Sequence, residues 1–165
     1  MRKLLAAEKN GVGLAAPQVG VPIALFIVAG RVFFFEGGPA SGGEDEREEN
    51  QKELKDDAFR SLNSKTSSFN SSNPHPLDKV FINPELIRAS RKKAEMSEGC
   101  LSVRDIYGTV LRHEKASIKA LDENGQPTTY HGAGLLAHIF QHEIDHLNGI
   151  LFTDIAMKLD KEKKL

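Results

Sequence analysis

Two histidines and a glutamate near the carboxyl end of the chain are the side chains best placed to do chemistry. His142 and His146 are four positions apart, and Glu143 directly follows the first of them. On an α-helix such positions share one face, roughly 6 Å apart, so both imidazoles can reach one metal ion. Glu143 projects about 100° further round the helix and can reach a water on that metal without ligating it. The spacing predicts the site of a metallohydrolase.

The segment that carries these residues has the pattern of a buried helix. Its apolar residues, from Leu135 to Leu147, cover more than half of the helical surface, which is typical of a helix inside a core. The pair Asn148-Gly149 is a left-handed stop signal. We predict a central helix over residues 133 to 147, whose polar side chains need partners because burying them alone is unfavourable.

The single cysteine of the chain is the candidate for a third ligand. A catalytic metal needs at least three protein ligands and one open position. Gly99 allows a sharp turn, so the sulfur of Cys100 can point inward from a loop. A lone cysteine is more often a small buried hydrophobe, and two histidines at helical spacing are often surface or satisfied core residues. Their joint presence favours a metal site.

The composition indicates a globular protein in a reducing compartment. The 165 residues are 39% hydrophobic and 27% charged, and no apolar run approaches a membrane span. One cysteine excludes an internal disulfide. The start, Met1 to Lys9, is too short and too charged for a secretory signal. We expect a cytoplasmic protein, and organellar import of a longer precursor remains an alternative.

A change of composition interrupts the chain after Phe35. Residues 36 to 78 are rich in Gly, Ser, Asn, Glu and Lys, and Glu36 to Asp57 holds nine acids and three bases. Such a segment buries too little apolar surface to fold alone. We predict a single catalytic domain over residues 1–165 with a disordered acidic, Ser-Asn-rich insertion at about 36–78. A solvated loop and a docking segment are both open roles for it.

The remaining segments predict strands. A Gly-Ala-rich stretch, residues 11 to 20, comes first. It lacks the third glycine of the dinucleotide fingerprint, and Pro17 would disrupt a following helix, so we do not expect it to bind a nucleotide. The tail from Met157 to Leu165 has the pattern of a short charged helix. The predicted strands are 21–28, 32–35 (paired with the first), 80–87, 107–110, 116–121 and 128–130. We predict an α+β fold with small antiparallel or mixed sheets around the central helix.

Three short motifs then resemble those of the peptide deformylase family, in the family's order. They are Gly-Val-Gly-Leu-Ala-Ala-Pro-Gln at 11–18, Glu-Gly-Cys-Leu-Ser at 98–102, and Gln-His-Glu-Ile-Asp-His at 141–146. Each alone is weak to moderate, whereas all three in order are highly specific. The similarity covers residues 1 to 35 and 80 to 156. Arg104 stands where a proline is common, and the family has a further helix and strand before the first motif.

The resemblance implies a reaction and a cofactor. It implies removal of the formyl group from nascent peptides that begin with N-formylmethionine, which releases formate. One divalent metal, typically Fe(II), with Zn, Ni or Co also possible, would be held by Cys100, His142 and His146. Binding alone favours Ni or Zn over Fe(II), so availability decides which ion is used. Transient ribosome association would follow from the substrate.

The resemblance also implies roles for other residues. Glu143 would be the general base and acid, and the oxyanion donors would be the Gln18 amide and the Leu101 backbone N–H. Glu98 and Arg112 would form a pair that holds the cysteine loop, while Asp145 anchors the helix. The substrate would contact Val12, Gly13, Met96, Gly99, Leu135, His138 and Ile139, with an extended peptide along the glycines and methionine in an apolar pocket.

His138 and two rival functions need separate mention. His138 shares the ligand face of the helix, but a fourth protein ligand would leave no room for water, so we expect a pocket wall. A zinc endopeptidase would share the His-Glu-x-x-His helix, and would leave Cys100 and Gln18 as coincidences. A degenerate deformylase-like domain used only for binding is the second rival, which the intact set of reactive residues argues against.

Overall fold

The computed structural model describes residues 1–35 and 77–161, and its longest helix lies at the centre of the fold. That helix, α3, contains 14 residues and runs from Gly134 to Leu147. The other elements, in chain order, are α1 (Arg2–Ala7), β1 (Gly13–Ala15), a 3-10 turn (Ala16–Val19), β2 (Leu25–Val28), α2 (Val32–Phe35), β3 (Lys79–Ala89), β4 (Lys93–Cys100), β5 (Val103–His113), β6 (Lys115–Leu121), β7 (Pro127–Ala133), α4 (Phe152–Ile155) and β8 (Lys158–Lys161).

The described strands form two antiparallel sheets beside α3. The larger sheet has five strands in the order β1-β2-β3-β6-β7, and the smaller has three in the order β4-β5-β8. Strand β1 pairs only with β2, and β4 pairs only with β5, among the described strands. Each sheet therefore presents an edge strand, and these two strands carry the glycine and cysteine motifs.

Aromatic packing joins α3 to the larger sheet. Phe26 on β2 stacks on Phe81 of β3 with ring centroids 4.8 Å apart. Phe140 of α3 meets Phe81 edge to face at 5.4 Å, and all three rings are fully buried. Burying a phenylalanine side chain stabilises a fold by roughly 1.5–3 kcal/mol. The apolar face of α3 is thus held against the sheet, which fixes the direction of its polar face.

The ends of α3 agree closely with the prediction from sequence. The helix begins one residue later than expected, after an extended Ala133, and ends at the expected Leu147. Gly149 adopts a left-handed φ of 76°, which favours glycine because a Cβ is strained there. The predicted α+β class with antiparallel sheets is confirmed.

Three local predictions were wrong. Residues 32–35 form a short helix instead of a strand paired with β2, because β2 already has β1 and β3 as partners. The tail was expected to be helical, yet Lys158–Lys161 pairs with β5 as a strand. Cys100 closes a strand and does not sit in a loop. For the tail and for Cys100, long-range strand pairing overrides a weak local preference.

The predicted insertion lies almost entirely outside the described residues. Its last residue, Asp78, is described, and Asp78 accepts a 3.1 Å hydrogen bond from the Gly30 backbone N–H. The single-domain assignment stays a prediction. In the described part of the chain, no helix is both long enough and apolar enough to span a membrane.

Candidate metal centre

Strand β4 delivers the cysteine to the polar face of α3. Side chains alternate between the two faces of a strand, and along β4 the more buried positions include Met96, Glu98 and Cys100. Gly99 faces the other way, against Tyr107: a Cβ there would lie 2.9 Å from the ring. The alternation therefore places Glu98 and Cys100 on the same side, directed at α3.

Three potential ligand atoms converge between β4 and α3. The Cys100 sulfur lies 3.1 Å from Nε2 of His146, and that atom lies 3.1 Å from Nε2 of His142. All three atoms are within 4.8 Å of one another. The two imidazole rings are nearly perpendicular, at 88°, so their nitrogens meet while the rings do not stack. His138, one turn earlier, is not part of this cluster.

Glu98 contacts the nitrogen of the His142 ring that lies away from the cluster. Its Oε2 is 2.9 Å from Nδ1 of His142, and Arg112 binds the same carboxylate through two donors at 2.8 and 3.0 Å. Burial alone would raise the pKa of Glu98, but nearby His138 and the bonds from His142 and Arg112 hold it well below its usual range. Arg112 also donates to Asp145 of α3, which ties β5 to the helix.

This arrangement fixes which nitrogen of His142 is free. An ionised carboxylate can only accept, so Nδ1 of His142 carries the proton that Glu98 accepts. In the neutral ring, Nε2 is then left with a lone pair directed into the cluster. Carboxylate–histidine pairing of this kind orients a metal-ligating imidazole. The pair is therefore built as a ligand with its supporting group.

The ionisable groups of the cluster also bear on metal binding. Burial alone would raise the pKa of Cys100, but hydrogen bonds with His142 and His146 and the Ser102 N–H lower it to about 5. Burial alone would lower the pKa of His142, while contacts with Cys100 and Glu98 and the charge of Glu143 raise it to about 10, so the ring holds a proton without a metal and a bound cation would have to displace it. A thiolate and two imidazoles are a donor set that Zn(II), Fe(II) and similar ions accept. The residues present fit a divalent metal.

Glu143 is the buried carboxylate beside this cluster. It is only 3% exposed, and its Oε2 has no hydrogen-bond partner among the described residues. Burial raises the pKa of Glu143 to about 7, although the charges of His142 and His146 oppose that rise. A carboxyl group with this pKa can both accept and return a proton near neutral pH.

Gln18 approaches the cluster from the 3-10 turn of the first motif. Its Oε1 accepts a 2.7 Å hydrogen bond from the Ala15 backbone N–H. Its Nε2 donates to the Cys100 sulfur at 3.3 Å and to Ser102 Oγ at 3.0 Å. Leu101 follows Cys100 in the tight connection between β4 and β5. The structure therefore brings together Cys100 at the end of β4, Gln18 and the His-Glu-x-x-His helix.

The family model of polypeptide deformylase matches residues 1–162 of this chain. The chain belongs to the polypeptide deformylase family. A peptide deformylase of Christiangramia forsetii is 37% identical over 151 residues, which cover 92% of this chain and 63% of that protein. The chain therefore spans less than two thirds of the length of this relative.

Solved structures of deformylases resemble the fold as well. A probable peptide deformylase from Synechococcus phage S-SSM7 matches with a TM-score of 0.64 and 28% identity, covering 94% of this chain and 78% of that one. A class I type b peptide deformylase from Acinetobacter baumannii, bound to Met-Ala-Ser, matches with a TM-score of 0.65 and 32% identity. This match covers 94% of the chain and 76% of the A. baumannii chain.

The residues that the deformylase resemblance assigns to substrate binding lie in different parts of the fold. Gly13 and Gly99 lie on the two edge strands. Ile139 belongs to the core cluster, and Val12 and Leu135 pack against it. Met96 lies on the inner side of β4, half-buried. Their roles stay predictions.

His138 is the least ordinary of these assigned residues. The side chain is 4% exposed, and its Nδ1 lies 3.9 Å from Glu98 Oε1, beyond hydrogen-bond distance. Neither ring nitrogen has a hydrogen-bond partner among the described residues. A buried imidazole in this state is unusual.

Two contacts around the Cys100, His142 and His146 cluster were not predicted from the sequence. One is the bond from Gln18 to Ser102, a residue that lies inside the cysteine motif and had no assigned role. The other is Gln141, whose side chain bonds both the N–H and the C=O of His113 at 3.0 Å. For the second contact the signal in the sequence was a glutamine directly before His142 on a helix predicted to be buried. The structure buries that glutamine.

Proposed function

We propose that this chain is a metal-dependent peptide deformylase, which hydrolyses the formyl amide of N-formylmethionyl peptides and releases formate. The observation that supports this most directly is the convergence of Cys100, His142 and His146, with a buried Glu143 carboxylate beside them. A His-Glu-x-x-His helix alone would suit many hydrolases. The added thiolate and the Gln18 amide favour the deformylase reaction.

We infer that Cys100, His142 and His146 hold one divalent ion, with Fe(II) as the proposed ion and Zn(II), Ni(II) or Co(II) as substitutes. Bound there, the ion would supply Lewis acidity and lower the pKa of a water at its open position. The chain fixes the ligands through Glu98 and Arg112. The thiolate donates more charge than a third imidazole, which moderates that Lewis acidity.

Glu143 moves the protons in this proposal. Its carboxylate takes a proton from the attacking water as the oxygen approaches the formyl carbon. It then delivers that proton to the amine nitrogen as the C–N bond breaks, because an amine leaves only when protonated. One group therefore works in both directions. Burial raises its pKa to about 7 in the metal-free site, and the charge of a bound cation would lower that pKa.

Gln18 and Leu101 would stabilise the oxyanion. The Nε2 of Gln18 already donates into the cluster, at 3.3 Å from the Cys100 sulfur. The backbone N–H of Leu101 belongs to the residue directly after that cysteine. Donors fixed where negative charge develops lower the barrier without reorganising. Crowding by Gly13, Gln18 and Leu101 would admit a formyl group and exclude larger acyl groups.

The two edge strands offer a place for the peptide. Gly13 on β1 and Gly99 on β4 each lie on a strand with one paired neighbour in the described fold. An extended nascent peptide could add to these edges through backbone hydrogen bonds. The methionine side chain would then lie toward Val12, Met96, Leu135, His138 and Ile139. We propose that the enzyme acts in the cytoplasm, with transient ribosome association.

One comparison tests this proposal against its two rivals. The metal-loaded chain would be given formyl-Met-Ala-Ser and, separately, an unmodified peptide of ten residues. Formate from the first peptide, with no internal cleavage of the second, supports the deformylase. Internal cleavage without formate would instead indicate an endopeptidase. If a folded, metal-loaded chain does neither, the interpretation that remains is a domain used only for binding.

A further inference from the structure

The amide of Gln18 can only work in one of its two orientations. A carboxamide has a donor nitrogen and an acceptor oxygen of nearly the same shape, and a half-turn exchanges them. In one orientation Nε2 faces the cluster and can donate to an oxyanion. In the other, an oxygen would face it and repel the same negative charge. Something in the fold must select the first orientation.

One selecting contact comes from the backbone of the same segment. The Ala15 N–H lies 2.7 Å from Gln18 Oε1, and an N–H can only donate. This contact therefore requires oxygen at that position. It closes a local loop of three residues and belongs to the 3-10 turn itself.

A second contact to the same amide comes from the cysteine motif. Gln18 Nε2 donates to Ser102 Oγ at 3.0 Å across 84 positions of sequence. The amide nitrogen has two hydrogens, so Ser102 accepts one while the other is directed to the side of Cys100, at 3.3 Å. A hydroxyl can also donate to an amide oxygen, so this contact fixes the direction of the carboxamide, while the Ala15 N–H fixes which of its atoms faces the cluster.

We propose that Ser102 is a positioning residue that directs the Gln18 amide N–H toward the cluster, in the orientation that the Ala15 N–H selects. The inference rests on the proposed function, because it concerns the oxyanion donor of that reaction. The side-chain contact is separable from the backbone of Ser102, whose N–H donates to the Cys100 sulfur at 3.4 Å. Alanine at position 102 removes the hydroxyl and keeps that N–H.

Kinetics with formyl-Met-Ala-Ser test the inference. Loss of one orienting hydrogen bond predicts that Ser102→Ala lowers kcat by about three- to tenfold, with KM changed less than twofold. Ser102→Thr, which keeps a hydroxyl, should recover most of kcat. Ser117→Ala is the matched control, since that exposed hydroxyl contacts His131 on the larger sheet.

A double-mutant cycle separates positioning from a merely structural effect. If Ser102 acts through Gln18, then Ser102→Ala should have no further effect on kcat in a Gln18→Ala background. Equal losses of kcat in both backgrounds would overturn the inference. So would a Ser102→Ala enzyme with the kcat of the unaltered chain.

A second readout does not depend on activity. In the zinc-loaded protein, the side-chain amide resonances of Gln18, assigned by their loss in Gln18→Ala, should shift in Ser102→Ala and hold their position in Ser102→Thr. If the unaltered chain released no formate, the proposed function would fail, and these resonances would still decide the contact. Unchanged Gln18 resonances in Ser102→Ala would overturn the inference.

Discussion

The backbone of Gly13 lies directly against the carboxylate of Glu143. A Cβ built on Gly13 would stand 2.8 Å from Cδ of Glu143, closer than real contacts allow, and 3.2 Å from its Cγ, which is a tight contact. Gly13 lies on edge strand β1 and Glu143 on α3, 130 positions later in the sequence. Because Gly13 has no side chain, the first motif leaves room for the Glu143 carboxylate.

Replacing this glycine should disable the base without touching it. In Gly13→Ala the new methyl group must push the Glu143 carboxylate aside, because the helix backbone behind it is packed. We expect formate release to fall by about 10²-fold or more, the range lost with a general base. The measurement is kcat with formyl-Met-Ala-Ser at matched metal content.

Gly125→Ala provides the control for this substitution. Gly125 has a φ of 77° and open space around it, so alanine strains the β6–β7 turn at a distance from the cluster. That variant should lose about 1 kcal/mol of stability and keep its kcat. Gly13→Ala with unaltered kcat would contradict the proposed position of the base.

Glu98 should matter for both stability and metal affinity. In Glu98→Gln the Arg112 guanidinium loses a buried, two-point ionic partner, which should lower the free energy of unfolding by on the order of 3 kcal/mol. The His142 ring loses its anionic support, so zinc affinity should fall about 10- to 100-fold. Urea unfolding of the metal-free protein and chelator competition measure the two effects.

The exposed pair Arg2–Glu123 offers a comparison for that substitution. Its side chains are about half exposed and 2.6 Å apart. Exposed pairs contribute roughly 0–1 kcal/mol, so Glu123→Gln should leave both stability and zinc affinity nearly unchanged. Equal effects of the two substitutions would argue against a special role for Glu98.

For His138 we predict the opposite effect: its replacement should stabilise the protein. Its buried ring nitrogens have no hydrogen-bond partner in the described part of the chain, and an unsatisfied buried polar group destabilises a fold by about 1–3 kcal/mol. His138→Leu should therefore raise the free energy of unfolding of the metal-free protein by about 1 kcal/mol, measured by urea titration. The exposed His131→Leu should change it by less than about 0.5 kcal/mol. A loss above about 1 kcal/mol for His138→Leu would show that the imidazole is satisfied.

The sequence was most informative where local pattern and chemistry coincide. The apolar stripe and the Asn148-Gly149 stop predicted α3 to within one residue at its start. The motif order predicted the family. These signals are short-range, because helical periodicity and ligand spacing are properties of consecutive residues.

Contacts between distant segments were beyond such reasoning. The closeness of Gly13 to Glu143, and of Gln18 to Ser102, depends on how β1 and β4 approach α3. Short apolar runs are also ambiguous: the run at 32–35 became a helix, and the charged tail became strand β8. The presence or absence of a free strand to pair with decided both outcomes.

Formate release by the Fe(II)-loaded chain, measured anaerobically beside Glu143→Gln, tests the central claim most directly. The substitution keeps the shape of the side chain and removes its ability to accept and return a proton. The account predicts formate from the unaltered chain and a loss of about 10²- to 10⁴-fold in the variant, at equal metal content. A folded, metal-loaded chain that releases no formate would contradict the account, as would a Glu143→Gln variant with undiminished activity.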